Sequence, residues 1–134
     1  MNIILKNNGS ALLIVVFAIA LMATVTIGIL QLHTEDIQLM QNQVNAAYAL
    51  ATAEAGLNDA FSQIRSDSSW TTGFSGKSFN GHVYDVNVTG TLPNRTITST
   101  ATTSQGFIAR VQADITIGTS SPYAIRIDNL RINE

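Results

Sequence analysis

The chain lacks cysteine altogether and contains little proline and little charge. None of its 134 residues is cysteine, which excludes disulfides and cysteine metal sites, so the fold depends on its core alone. Proline occurs only twice, first at Pro93, so no proline interrupts a helix before that position. Charged residues make up 12% and the net charge is −2, which provides no global field that would attract nucleic acid or a membrane surface.

Charge is missing entirely between Lys6 and Glu35. Within this stretch, residues 10–30 form an apolar run that as a helix would be about 32 Å long, enough to cross a hydrocarbon core of about 30 Å. A secretory signal has a shorter apolar region, and a buried core helix, the alternative, usually carries charge on one face. The sequence therefore predicts a transmembrane helix at 10–30. Lys6 precedes it and acidic residues follow it, which places the N-terminus in the cytoplasm.

Helical periodicity continues beyond the predicted span. Apolar residues recur at steps of three and four: Ile37, Met40, Val44, Ala47, Leu50, Ala53, Leu57, Phe61 and Ile64. This pattern predicts one helix over 10–65, with 31–65 as its second half and an apolar stripe along it. The weakest part is Thr24 to Gly28, because β-branched residues and glycine lower helix propensity.

The period changes to two in the last third of the chain. Residues 66–81 are predicted to be a loop, because Ser, Thr and Gly dominate there. Alternating apolar and polar residues then predict four strands: His82–Thr89, Arg95–Thr100, Phe107–Ile117 and Tyr123–Ile132. Such strands favour an antiparallel sheet with one buried face, which helix residues 46–65 would cover to form a globular head with 66–134. The predicted fold class is α+β.

In this arrangement the sequence resembles type IV pilin-like proteins. The resemblance rests on the short leader 1–9, the glycine at its end, the apolar helix and the small sheet. Within the family, the segments 11–16 (ALLIVV) and 53–60 (AEAGLNDA) are similar to PilX-type minor pilins, as is 97–101 (ITSTA) ahead of the strand containing Arg110.

The resemblance implies how the leader is processed. Prepilin peptidase would cut between Gly9 and Ser10 and N-methylate Ser10. Glycine suits a bond that must lie extended in a protease cleft, because it has no side chain to hinder approach. An ordinary flexible glycine ahead of a membrane anchor is the alternative reading.

One position departs from the family pattern. Most pilins have glutamate five residues into the mature chain, whereas this chain has Ile14. A carboxylate inside a bilayer is expensive and marks a function when present. By resemblance, members without this glutamate act in filament initiation or at the tip, so a minor pilin is expected rather than a major subunit.

A second candidate site lies on the predicted second half of the helix. Glu54, Gly56 and Leu57 form a helix packing motif. Glu54 would be solvated or locally bonded, or would pair with a charge on a neighbouring subunit. Gly56 would permit close packing against the sheet or another subunit, unless it is simply a tolerated helix glycine.

The remaining polar residues indicate no catalytic site, metal site or cofactor. Cross-strand ion pairs account for the strand charges: Asp85, Asp114 and Asp128 with Arg95, Arg110, Arg126 or Arg131. No oxygen-rich loop has the spacing of a calcium site. From residue 66 onward five basic and five acidic residues balance, so direct nucleic-acid binding is not expected.

The sequence thus predicts a non-enzymatic minor pilin. Its partners would be other pilin subunits, the prepilin peptidase, the inner-membrane assembly platform and, before assembly, membrane lipid. The protein would cross the inner membrane once, with its head outside, and then join an extracellular or periplasmic filament. Two alternatives remain: a minor pseudopilin of type II secretion, which shares every feature, and an unprocessed bitopic membrane-anchored binding protein.

Overall fold

The computed structural model describes residues 8–133. One helix and five strands follow each other along the chain: α1 (Asn8–Ser66), β1 (Phe74–Phe79), β2 (His82–Thr91), β3 (Asn94–Thr102), β4 (Ile108–Ile117) and β5 (Ile125–Asn133). The predicted α+β class is confirmed, and the predicted long helix is present. The leader residues 1–7 lie outside the described part of the chain.

The chain divides into two compact units, Met1–Gln41 and Asn42–Glu134. In the first unit the described residues are helical, and from Gly9 to Gln41 all of them are exposed. The second unit holds the end of α1 and the whole sheet, and all the buried residues among those that the structure describes belong to it. This second unit, which we call the head, therefore contains its own complete core and has what it needs to fold independently.

The five strands form one antiparallel sheet in the order β1-β2-β3-β4-β5. Each strand pairs with the next in sequence, which is the simplest way to join strands by short turns. The sheet has one core face because alternate residues point to opposite sides. In β4, for example, five alternate residues are buried: Ala109, Val111, Ala113, Ile115 and Ile117.

The last turns of α1 cover this core face. Helix residues at steps of three and four are buried there: Ala49, Ala53, Leu57, Ala60 and Ile64. Ala53, Leu57, Ala60 and Ile64 join strand residues in one hydrophobic cluster, among them Tyr84, Ile97, Val111 and Ile115. Small alanines dominate the helix side of the contact, so the helix backbone approaches the sheet closely and the larger side chains come from the strands.

The predicted loop 66–81 is wrong in one part, because β1 lies within it. Phe74–Phe79 pairs antiparallel with β2, with an irregular register between Phe74 and Lys77. The sheet therefore has five strands rather than four. The segment does not alternate in burial, since five of its six residues are exposed, and its strand conformation arises from pairing with β2 rather than from its own pattern.

Candidate functional site

The part of α1 ahead of Ala49 exposes a long series of apolar side chains, from Leu12 to Tyr48. Large apolar side chains there are 48–72% exposed, with Met22 at the upper limit and Tyr48 at the lower. Soluble monomers rarely expose an apolar area of this extent, and such areas mark contacts with protein or membrane. By length and composition, α1 is apolar enough to cross a membrane, with a mean hydropathy of 2.8 in its most apolar window.

Two threonine side chains on this surface bond within the helix. The Thr24 hydroxyl donates to the Leu21 carbonyl at 2.8 Å, and the Thr26 hydroxyl donates to the Met22 carbonyl at 2.8 Å. An unpaired hydroxyl in hydrocarbon would cost several kcal/mol, on the order of 4–8. Because both threonine hydroxyls are already satisfied, the helix surface around them is compatible with lipid or with a neighbouring apolar helix.

Gly9, Ser10 and Ile14 all lie on the exposed part of α1. A Cβ added at Gly9 would meet no atom within 4 Å, so packing does not account for glycine there. Ser10 is exposed and Ile14 is 64% exposed. Gly9 and Ser10 are helical, so a protease that needs an extended bond would have to unwind this turn, which glycine makes easier because of its low helix propensity.

The three residues of the predicted packing motif, Glu54, Gly56 and Leu57, lie in two different environments. Gly56 and Leu57 face the sheet of their own chain, whereas Glu54 is exposed. A Cβ at Gly56 would overlap the Ser99 hydroxyl and lie 2.7 Å from Cδ2 of Tyr84. Gly56 thus permits close contact between α1 and the sheet. The Ser99 hydroxyl is buried there with no hydrogen-bond partner.

A polar cluster next to Gly56 was not anticipated from the sequence. The Asp59 carboxylate accepts hydrogen bonds from the Tyr84 hydroxyl and from Lys77, whose Nζ lies at 2.5 Å. The Lys77 Nζ also lies 4.5 Å from the centre of the Phe74 ring. This cluster connects α1 to β1 and β2. The periodicity of the helix gives no signal for it, because the partners are 18 and 25 residues away.

The cluster shifts the pKa values of its members in a consistent way. Hydrogen bonds from Lys77 and then Tyr84 lower the pKa of Asp59. The hydrogen bond to Asp59 raises the pKa of Lys77. Burial, followed by the bond to Asp59, raises the pKa of Tyr84. At neutral pH the cluster therefore holds a carboxylate, an ammonium and a neutral phenol, a combination that stabilises structure and offers no group poised for acid–base catalysis.

The opposite face of the sheet carries the remaining ion pairs. Arg131 pairs with Asp114 across β4 and β5 at 3.0 Å, whereas Arg126 pairs with Asp128 on its own strand at 2.7 Å. Hydrogen bonds from Thr96 and the charge of Arg131 lower the pKa of Asp114. Asp85 accepts the backbone N–H of Gly76 instead of pairing with an arginine.

Arg95 corrects the prediction of cross-strand pairs. It lies on the core face of β3, in step with Ile97 and Ser99, and is only 7% exposed. Its guanidinium donates to the carbonyl of Trp70 at 3.5 Å, and its Nε has no partner. The alternation of β3 requires this burial, so Arg95 is not available for a surface ion pair.

Within residues 8–133, no three side chains of the metal-binding types His, Cys, Asp or Glu come together. His82 lies beside Tyr48, with ring centres 5.6 Å apart, and its Nδ1 accepts the backbone N–H of Ser104. Comparison with profiles of known families, with curated proteins and with solved structures finds no match for this chain.

Proposed function

We propose that this chain is a minor, non-enzymatic subunit of a type IV pilus-like filament. It is made with a leader that is removed between Gly9 and Ser10, and it waits in the inner membrane with its head outside. It then enters a filament in which the apolar part of α1 packs against the helices of neighbouring subunits. Its role is in filament initiation or at the tip rather than repeated along the shaft.

The observation that carries this proposal is that one helix contains two very different surfaces. The part of α1 ahead of Ala49 is apolar and exposed, and the part from Ala49 to Ile64 completes the core of the head. A membrane anchor alone needs only about 20 apolar residues. Here exposed apolar side chains continue past the acidic Glu35 and Asp36 to Ile37, Met40 and Val44, which supports contact with protein beyond the span.

Burial can be conserved when such a helix leaves the membrane. In lipid its side chains contact acyl chains, and in a filament they contact other apolar helices. Because the hydrophobic effect depends on removal from water, exchange of one apolar surrounding for another costs little. The internal hydrogen bonds of Thr24 and Thr26 can persist in both surroundings.

The minor role is supported by the composition of the first turns of the mature helix. Ile14 stands at the position where the resembled family usually carries glutamate, and it is exposed on the helix surface. A subunit without this carboxylate has only apolar contacts to offer a neighbour there. A place at an end of the filament requires fewer specific contacts than a place within the shaft.

The test is the identity of the mature N-terminus. The full chain, produced together with a prepilin peptidase and extracted from the membrane, is expected to begin at Ser10 and to carry one added methyl group, as measured by intact mass and N-terminal sequencing. Gly9→Val is expected to retain the leader, because a branched side chain hinders the extended bond. Gly28→Val, which adds the same side chain within the span, is the matched control and should be cut normally.

A chain that still begins at Met1 in the presence of the peptidase would overturn the filament proposal. That result would favour an unprocessed bitopic binding protein. Cleavage of both glycine variants would instead show that Gly9 does not direct processing.

A further inference from the structure

One side of α1 stays apolar after the predicted span has ended. Ile37, Met40 and Val44 follow one another at steps of three and four, so they lie on one face of the helix, and each is 50–65% exposed. Val44 lies 14 residues past Leu30, about 21 Å along a helix, whereas the headgroup region adds only about 5–8 Å to each side of the hydrocarbon core. Lipid therefore does not account for this surface, which we call the Ile37–Val44 face.

An acidic side chain borders the Ile37–Val44 face. Asp36 is four residues before Met40, and side chains at that spacing are neighbours on a helix surface. Asp36 is exposed, and the ion pairs of the described residues include neither Asp36 nor the adjacent Glu35. A helix laid on the face would remove the Asp36 carboxylate from much of its water, which is costly unless the covering helix supplies a positive charge. The face and the carboxylate together therefore suit an apolar helix that carries a basic residue at this level.

The α1 helix of a second copy does not bring a positive charge to this level. No Lys or Arg occurs between Lys6 and Arg65, which are 30 and 29 residues from Asp36 and so about 44–45 Å away along a helix. The amino group that processing would create at Ser10 is 26 residues away, about 39 Å. A copy shifted by such distances would leave the membrane, because the hydrocarbon core is only about 30 Å thick. Copies anchored in one membrane have parallel helices, so packing through this face brings carboxylate toward carboxylate.

We propose that the Ile37–Val44 face binds an apolar helix of a different subunit, one that carries Lys or Arg at the level of Asp36. The inference rests on the proposed filament function and names the chemistry of the partner. Like charges at neighbouring positions destabilise a contact by about as much as opposite charges stabilise it. Copies of this chain therefore disfavour each other at this face, which gives a physical reason for a subunit that is not repeated along a shaft.

A charge-reversed copy of the chain serves as the probe for such a partner. Because the chain lacks cysteine, Val44→Cys on the half-exposed face reports contact by disulfide cross-linking. Full-length Val44→Cys and full-length Val44→Cys/Asp36→Lys, carrying different tags, are produced together in membranes. They are oxidised at pH 8, where histidine is ordinarily neutral, because His33 is four residues before Ile37 and shares the face.

After allowance for random pairing, we expect the mixed product to exceed the product of two unreversed chains by about threefold, since repulsion between exposed charges becomes attraction. The excess should shrink in about 1 M salt, where the Debye length is about 3 Å. Asn42→Cys, with and without Asp36→Lys, is the matched control. Asn42 is exposed but lies about 200° around the helix from Val44, so its mixed product should be several-fold smaller. Protease accessibility of the head checks that all variants have the same orientation in the membrane.

The outcomes separate this inference from the proposed function. If two unreversed chains cross-link at Val44→Cys as well as the mixed pair does, the selection against copies is overturned. Equal mixed products from Val44→Cys and Asn42→Cys, or none from either, would overturn the face as the contact surface. A chain that nevertheless begins at Ser10 keeps the filament proposal, whereas a chain that begins at Met1 in the presence of the peptidase fails that proposal whatever the cross-links show.

Discussion

The two parts of α1 are both rich in apolar residues but have opposite environments. Ahead of Ala49 the large apolar residues are about half to three-quarters exposed, while Leu57 and Ile64 in the later part are 0–6% exposed. In the later part, alanine and glycine face the sheet and polar residues face water. Between residues 10 and 30 of the earlier part, apolar residues occur on all sides of the helix and no residue is charged. The number of apolar faces, rather than hydrophobicity alone, therefore separates a helix that completes its own core from one that needs other molecules.

The sharpest way to test this difference is the same substitution in each part. Ile64→Ala is expected to lower the free energy of unfolding of the head by about 2–5 kcal/mol, because it leaves a cavity in a packed core. Ile19→Ala should leave the unfolding of the head unchanged, because Ile19 is 62% exposed and lies outside that unit. The measurement is urea denaturation followed by fluorescence of Trp70, the single tryptophan, which packs against the core.

Ile64→Ala is compared with the parent head, residues 42–134, and Ile19→Ala with the parent full chain in detergent. Equal losses for the two variants would contradict the separation of α1 into a part that serves the core and a part that does not.

A second pair of variants compares the two glycines within the body of α1. Gly56→Ala is expected to destabilise the head by about 1–3 kcal/mol, because the added methyl group overlaps the Ser99 hydroxyl and crowds the Tyr84 ring and the core must shift. Gly28→Ala meets no atom within 4 Å, so it should only raise helix propensity, by about 1 kcal/mol. Thermal unfolding of the head and helicity of the full chain in detergent measure the two effects.

A Ser99→Gly background tests whether contact with the Ser99 hydroxyl causes the loss of stability in Gly56→Ala. It removes the nearest obstacle, so Gly56→Ala should cost less there than in the parent head. If the cost is the same in both backgrounds, the contact with Ser99 is not the reason for glycine at this position.

These glycines also show what the sequence could predict. Both stand in helical patterns, and the local sequence gives no basis for assigning one to a tight contact and the other to open surface. The helix and four strands were predictable because periods of 3.6 and two are local properties. The close approach of Gly56 to Ser99 depends on which strand lies under which turn, and that is set by the whole fold.

β1 and Arg95 were missed for two different reasons. β1 (Phe74–Phe79) shows no alternation in burial, so only pairing with β2 defines it as a strand. Arg95 does obey the alternation of β3, in step with Ile97, Ser99 and Ala101. Here the signal was present, but the usual exposure of arginine argued against it. The Asp59 cluster was beyond local reasoning, since its members come from α1, β1 and β2.

The smallest expected effect concerns that cluster, in the part of α1 that serves the core. Asp59→Asn should lower the stability of the head at pH 7 by about 1 kcal/mol or less, because the Asp59 side chain is 42% exposed and exposed pairs contribute little. The pKa of Asp59 is lowered in the folded head, so its contribution is present above the unfolded value of about 3.9 and is lost as the pH falls through the folded pKa. The difference between parent and Asp59→Asn should therefore vanish in acid. Glu54→Gln, which changes an exposed carboxylate on the same part of the helix, should match the parent at pH 7. A difference for Asp59→Asn that persists at pH 2 would show that the carboxylate acts through packing rather than through its charge.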